Sequence, residues 1–310
     1  MLLLAIGCTP GWQPPAQTLA TPTLDPSGGT ATDDRVVDEF VEPNQNAMDF
    51  LFVIENTVWM LQHQSTLDAF YPDVMTWLLD SELDFHVGVV TADLDDSGEL
   101  VAGSSTRWIN NDTEYPTEVF TAITDVGASG VAGVAGLGTV FGALGKNAPS
   151  NNFGFRRPDA GLHTIAIAGR DDDTATSEIS PSEFIAWYEK FVPPPHSSSF
   201  SAIVPTSGFS PADTFLAVVD NIGGATIDID DDDPHDLLPA LTNLIGEPVS
   251  VPYPLSEAPV VDSIEVVVTL GEAQLATDPW TFDEFYNTVQ FDEGPPPGGA
   301  IIRISYLPVQ

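Results

Sequence analysis

Basic residues are what this chain has least of. Eight Lys and Arg stand against 46 Asp and Glu, a formal net charge of -38. Such a surface repels phosphate backbones and anionic headgroups, so nucleic acid is excluded as a partner. Cysteine is nearly absent too: Cys8 stands alone, so no disulfide can form within the chain. No segment has the length and apolarity of a membrane span; the run from Val131 to Leu144 is too short and too rich in glycine. Catalytic signatures are missing as well. There is no G-x-S-x-G, no H-E-x-x-H, no phosphate-binding glycine loop and no dinucleotide fingerprint. The five histidines, at 63, 86, 163, 196 and 235, are scattered, and the carboxylates are too numerous for any two to be singled out as acid and base. An enzyme is not expected.

What remains is ordinary in amount and informative in order. A hydrophobic fraction of 43% is enough for a packed core. Residues 9–34 are rich in Pro, Thr, Ser and Gly and read as an extended tether. From Asp49 the pattern alternates between strand and helix. "FLFVI" (50–54) is a continuous apolar run, as for a parallel strand covered on both faces. Met60, Leu67, Phe70 or Tyr71, Val74 and Leu78 share one helical face, with Pro72 expected to kink or divide the helix.

"DFHVGVVTAD" (84–93) is the second strand, and 99–109 reads as a hairpin or irregular excursion. The glycine-rich stretch 130–146 is expected to be a helix packed closely on the sheet. "LHTIAIAG" (162–169) is a third strand. Ser180-Pro181-Ser182-Glu183 then supplies an N-cap, a Pro at N1 and a Glu at N3. Strands at 199–205 and in "ATIDI", with helices at 213–222 and from Pro234, complete the alternation. The fold class that follows is α/β: a doubly wound, mostly parallel sheet flanked by helices over residues 48–247. Residues 248–310 are β-rich and punctuated by Asp-Pro, Pro-Pro-Pro and Gly-Gly, the pattern of a small antiparallel β module. A strand within 35–47 can join that module, which would make the α/β domain an insertion.

Two resemblances add to this. "MLLLAIGC" resembles a bacterial lipoprotein signal, an apolar run with small residues before a cysteine. It implies that Cys8 is lipidated and becomes the mature N-terminus, placing the protein in the bacterial cell envelope with a lipid anchor as its only membrane contact. "LFVIENTVWM", "VGVVTAD" and "RRPDAGLHTIAIAGRDDD" fall in the order of three motifs of the von Willebrand factor A (vWA) domains of bacterial lipoproteins, where they read "LFVIDNSGSM", "GVVTTD" and "RPDAxLxVIxVSDEDD".

That resemblance implies a protein or other envelope ligand bound by loops at the C-terminal edge of the sheet. It also implies a metal-ion-dependent adhesion site built on Asp-x-Ser-x-Ser. Here Glu55 fills the Asp slot and Thr57 the first Ser slot, while Trp59 replaces the second Ser and has no oxygen. The distant Thr falls at Gly138 beside Thr139, and the distant Asp at Gly169 with Asp171 two residues on. A divergent site of Glu55, Thr57 and Asp171 is the candidate for Mg2+ or Ca2+. The expectation is a degenerate site without metal, with Glu55 capping the following helix. Scaffolding without ligand binding is the alternative function, alongside adhesion through the divergent metal site.

Two acidic loops are weaker candidates. "DLDDSG" (93–98) matches the opening of a calcium loop, but Ser104 stands where the closing Glu belongs. "DIDDDDPHD" (228–236) reads as a solvated loop whose last Asp before Pro234 caps a helix, with His235 alongside.

Overall fold

The computed structural model describes residues 34–42, 44–81, 83–103, 106–130, 133–173, 179–192, 198–245 and 250–309. Cys8, the signal-like segment and residues 9–33 of the tether lie outside them, as does Ser104. The chain forms two compact units, residues 43–249 and a second unit made of the residues before and after.

The larger unit is a six-stranded sheet: β2 (Ala47–Ile54), β3 (Asp84–Thr91), β4 (Ile109–Asn110), β5 (Gly161–Ile167), β6 (Ser198–Val204) and β7 (Thr226–Asp228), in the order β4-β3-β2-β5-β6-β7. All pairs are parallel except β3–β4. Alternation along β2 sorts its side chains between two cores. Phe50, Phe52 and Ile54 pack with α1 (Gln64–Asp80), α2 (Pro116–Thr124) and α6 (Leu237–Ile245). Leu51 and Val53 pack with α3 (Gly136–Phe141), α4 (Pro181–Tyr188) and α5 (Asp213–Ile222) on the other face. Every residue of β2 is buried, which is why it reads as an unbroken apolar run. Each large side chain removed from water this way contributes about 1.5–3 kcal/mol.

Two expectations need correction. Pro72 lies inside α1 instead of dividing it; the break falls earlier, where a 3-10 turn (Val58–Gln62) gives way to α1 at His63. Proline removes the N–H that would bond the Asp68 carbonyl, but Phe70, Tyr71, Val74 and Met75 around it are all buried, and that packing holds the helix together. Among the described residues of 130–146 the helix begins at Gly136, as α3 followed by a π turn (Gly142–Lys146). Gly130 instead packs on Asn56, where a Cβ would come within 2.0 Å of the Asn56 Oδ1. The described residues of 99–109 ahead of β4 form neither helix nor strand, the irregular excursion the sequence allowed, and β4 pairs antiparallel at the sheet margin.

At the N-terminal edge of the sheet the fully buried Asp49 of β2 meets two arginines that precede β5. Its Oδ1 accepts from Arg157 Nε at 2.8 Å, and its Oδ2 from Arg156 Nη1 at 2.9 Å and the Arg157 backbone N–H at 2.7 Å. Arg157 also donates to Asp84 Oδ1 at 2.6 Å, where β3 begins. Three strand starts are thereby fixed in register.

In the other unit β1 (Val36–Val41) pairs with β13 (Ile301–Tyr306), which pairs with β9 (Glu265–Leu270) and so to β10 (Ala273–Gln274). A second sheet holds β11 (Trp280–Asp283), β12 (Thr288–Phe291) and β8 (Tyr253–Pro254). Two buried carboxylates fasten β1 to this unit. Asp38 Oδ2 accepts from the Tyr306 hydroxyl at 2.8 Å, and the Tyr253 hydroxyl donates to Glu42.

In the larger unit, His235 bridges Asp233 (Nδ1 to Oδ1, 2.6 Å) and Asp73 of α1 (Nε2 to Oδ2, 3.1 Å). The Asp233 hydrogen bond is the main cause of a raised His235 pKa, burial opposing it. A histidine whose folded pKa is raised stabilises fully below its unfolded value, about 6.5, and the contribution is lost as pH rises through the folded pKa. All three groups are substantially solvated, so the effect stays below about 1 kcal/mol and shrinks with salt. The stability gap between wild type and His235→Gln, read from thermal melts across pH, should therefore narrow as pH rises above that range.

Candidate functional site

Strand order reverses between β2 and β5, and the crevice beyond their C-terminal ends is where open α/β sheets place ligands. Glu55 stands at that switch. Its backbone N–H continues the pairing to Ile167 O at 2.9 Å, and its side chain is buried. The carboxylate is already occupied. Oε2 accepts from the Gly169 N–H at 2.8 Å; Oε1 accepts from Arg170 Nε at 3.3 Å and from the Thr57 hydroxyl. Glu55 therefore does not cap the following helix, as the sequence suggested. Thr57 is the cap, with its Oγ1 accepting from the Trp59 N–H at 3.4 Å.

The turn that Thr57 opens has a distinctive exposure pattern. Met60 is anchored in the core, while Val58, Trp59 and Leu61 are 62%, 61% and 57% exposed. Three apolar side chains thus stand in solvent on a turn pinned by a buried cap and a buried anchor.

Asp171 sits elsewhere. Its Oδ1 accepts from the Thr214 N–H at 2.9 Å and its Oδ2 from the Thr214 hydroxyl at 3.0 Å, in the first turn of α5. Asp172 does the same for α3, accepting from the Leu137 N–H at 3.0 Å. Both helices start after an alanine, Ala212 and Ala135, with no side-chain cap of their own. A helix N-terminus leaves several N–H groups unpaired, and here the loop after β5 supplies the acceptors from a distance. Two helices lacking a local cap, beside an Asp-rich loop, were the available signal.

These residues do not fit a divalent cation. Mg2+ asks for six oxygens in near-octahedral array. Glu55 has both oxygens engaged, with the Arg170 guanidinium beside it, and Asp171 is committed to α5. Thr139, beside the distant Thr slot, is buried with its hydroxyl donating to Gly136 O at 3.0 Å, and Trp59 offers only a ring. Among the described residues no group of three or more His, Cys, Asp or Glu could hold a metal ion.

The other candidates also have structural partners. In 93–98, Asp93 accepts from the Asp95 N–H at 3.0 Å and Asp96 from the Thr91 hydroxyl at 2.6 Å. Gly98 has φ +72 and packs so closely on α3 that a Cβ would lie 2.3 Å from Thr139 O. Asp233 caps the turn at Pro234–Asp236, accepting from the His235 N–H at 3.0 Å. His163 is wholly buried, and desolvation pushes its pKa down to about 3, so it is a neutral core histidine hydrogen-bonded to Ser199.

Millimolar Mg2+, Mn2+ or Ca2+ should leave the melting temperature unchanged relative to EDTA. Asp171→Ala should cost about 1 kcal/mol, as for a lost helix cap, equally with and without metal; thermal melts and denaturant titrations measure both.

No family model and no curated protein matches this chain. Among solved structures it is similar to proximal thread matrix protein 1 from the mussel byssus, with a TM-score of 0.40 and 14% identity over 67% of this chain and 47% of that one. It is also similar to the pilus adhesin SpaC from Lactobacillus rhamnosus GG in its open conformation, with a TM-score of 0.43 and 8% identity over 88% of this chain and 40% of that one. The chain thus spans less than half the length of either structure, and likeness at this level assigns neither family nor activity.

Proposed function

We propose that residues 48–247 form a vWA-like domain that binds a protein or other envelope ligand without a metal ion, through the loops at the C-terminal edge of its sheet. In this reading the domain is carried at the bacterial cell envelope by a lipid on Cys8, through the Pro/Thr/Ser/Gly-rich segment 9–34. The observation that carries the binding role is the turn Val58–Gln62. An exposed Trp flanked by exposed Val58 and Leu61 has no folding rationale, since each would gain free energy by leaving water. Trp on a rigid turn is also the residue type that dominates binding energy at protein interfaces. A domain kept only for packing would bury Trp59. The metal-free character is supported by Arg170, which places a fixed positive charge beside the buried Glu55.

The test is binding of the purified domain to cell-envelope fractions. Trp59→Ala and Leu61→Ser should weaken binding at least about tenfold, as for interface anchors, with folding stability within about 0.5 kcal/mol of wild type. EDTA should have no effect. Binding abolished by EDTA, or unaffected by Trp59→Ala, would contradict the proposal.

A further inference from the structure

A groove of about 690 Å³ opens beside that turn, between α1 and α2. Its apolar lining includes the largely buried Ile54, Met60, Leu67 and Tyr71 and the more accessible Ala122 and Val126. Three exposed carboxylates, Asp68, Glu118 and Asp125, are also in the lining, with the arginine-paired Glu55 and the threonines of α2. No ion pair engages any of these three among the described residues. Each of the six arginines is held against a carboxylate elsewhere, so these three acids face the groove without an arginine.

A second feature points to a ligand. Tyr71 is 3% exposed, lines the groove, and its hydroxyl has no hydrogen-bond partner among the described residues. Among the described residues the fully buried polar atoms without a partner do not include this hydroxyl, so it opens onto the groove, where an incoming donor can reach it. Burial, and after it the nearby Asp68 charge, pushes the phenol pKa up, so it stays neutral and able to accept from a cationic donor.

The carboxylates are too dispersed to share a metal ion, since no three acidic groups converge among the described residues. A cation that fits must spread its donors and bring its own apolar stem. Lys and Arg side chains do both, laying methylenes on an apolar floor while the charged head reaches a polar rim. We infer that this groove receives a basic side chain, Arg or Lys, from an amphipathic segment of a partner protein, with Asp68, Glu118 and Asp125 as counter-charges and Tyr71 as a hydrogen-bonding floor. The inference rests on the C-terminal edge being the binding face and adds the chemistry of the partner. Apolar neighbours of that basic residue would meet Val58, Trp59 and Leu61, the turn that also supplies Met60 to the groove.

The experiment uses a short fluorescein-labelled peptide of alternating Leu and Arg, followed by anisotropy at physiological ionic strength. Because the whole chain is strongly acidic, the control must change charge equally at another place. Asp159 precedes β5 and Glu189 ends α4, both exposed at the opposite edge of the sheet. Asp68→Asn combined with Glu118→Gln should weaken binding at least about tenfold, and Tyr71→Phe should weaken it several-fold. Asp159→Asn with Glu189→Gln should change it less than about twofold. A peptide with Gln in place of Arg should not bind. Circular dichroism of each variant checks the fold.

Equal losses in the two double variants would show diffuse attraction and overturn the inference, as would no binding of the Arg peptide or equal binding of the Gln peptide. Loss on Trp59→Ala with no loss in the groove variants would overturn the groove while leaving the binding edge standing. Loss in the groove variants alone would support the groove and sink the role of Trp59.

Discussion

Strand β2 carries a buried carboxylate at each end, and arginines on either side of β5 neutralise both. Asp49 is met by Arg156 and Arg157 before β5, and Glu55 by Arg170 after it. An uncompensated buried charge costs several kcal/mol, a large part of the 5–15 kcal/mol by which a domain is stable. These pairs therefore tie β2 to the segments on both sides of β5 and hold the two strands in register. They also fix where the sheet ends, because Glu55 is held by Gly169 and Arg170 at the edge where the exposed turn begins.

The same constraint orders the rest of the charge. With eight basic residues against 46 acidic ones, most carboxylates cannot be paired with a cation. The fold gives several of them backbone N–H donors instead. Asp171 and Asp172 cap helices distant in sequence, Asp93 and Asp233 cap their own turns, and Glu183 closes the capping box with Ser180. A carboxylate at a helix N-terminus is stabilised by the unpaired N–H groups and the helix dipole. The acids of the α1–α2 groove have neither kind of partner among the described residues, in common with many surface carboxylates; what sets them apart is their place around the groove that Tyr71 lines.

What the sequence made legible was local. The unbroken apolar run of β2, the Ser180–Glu183 capping box and the amphipathic stretch 213–222 each declare themselves within a few residues, and all three elements form there. What it hid was set across the chain. Arg170 lies 115 residues from Glu55, so the cation beside that carboxylate could not be found by reading around it. Asp171 was legible as a carboxylate near a metal-like position, but its partner Thr214 is 43 residues away. The glycine-rich stretch failed as a continuous helix because Gly130 answers to Asn56, another distant contact. Trp59 was legible as the residue that breaks the ligand pattern; its exposure depended on Thr57 and Met60 pinning the turn.

The central claim is that Arg170 is the cation that Glu55 needs. A double-mutant cycle with Glu55→Gln and Arg170→Met, followed by denaturant unfolding in EDTA, tests it most directly. Each single change should destabilise by about 3–5 kcal/mol, and the double variant should recover at least about 2 kcal/mol of the summed loss, because the remaining charge is removed along with its partner. Strictly additive losses, or a coupling that emerges only when a divalent cation is added, would contradict it.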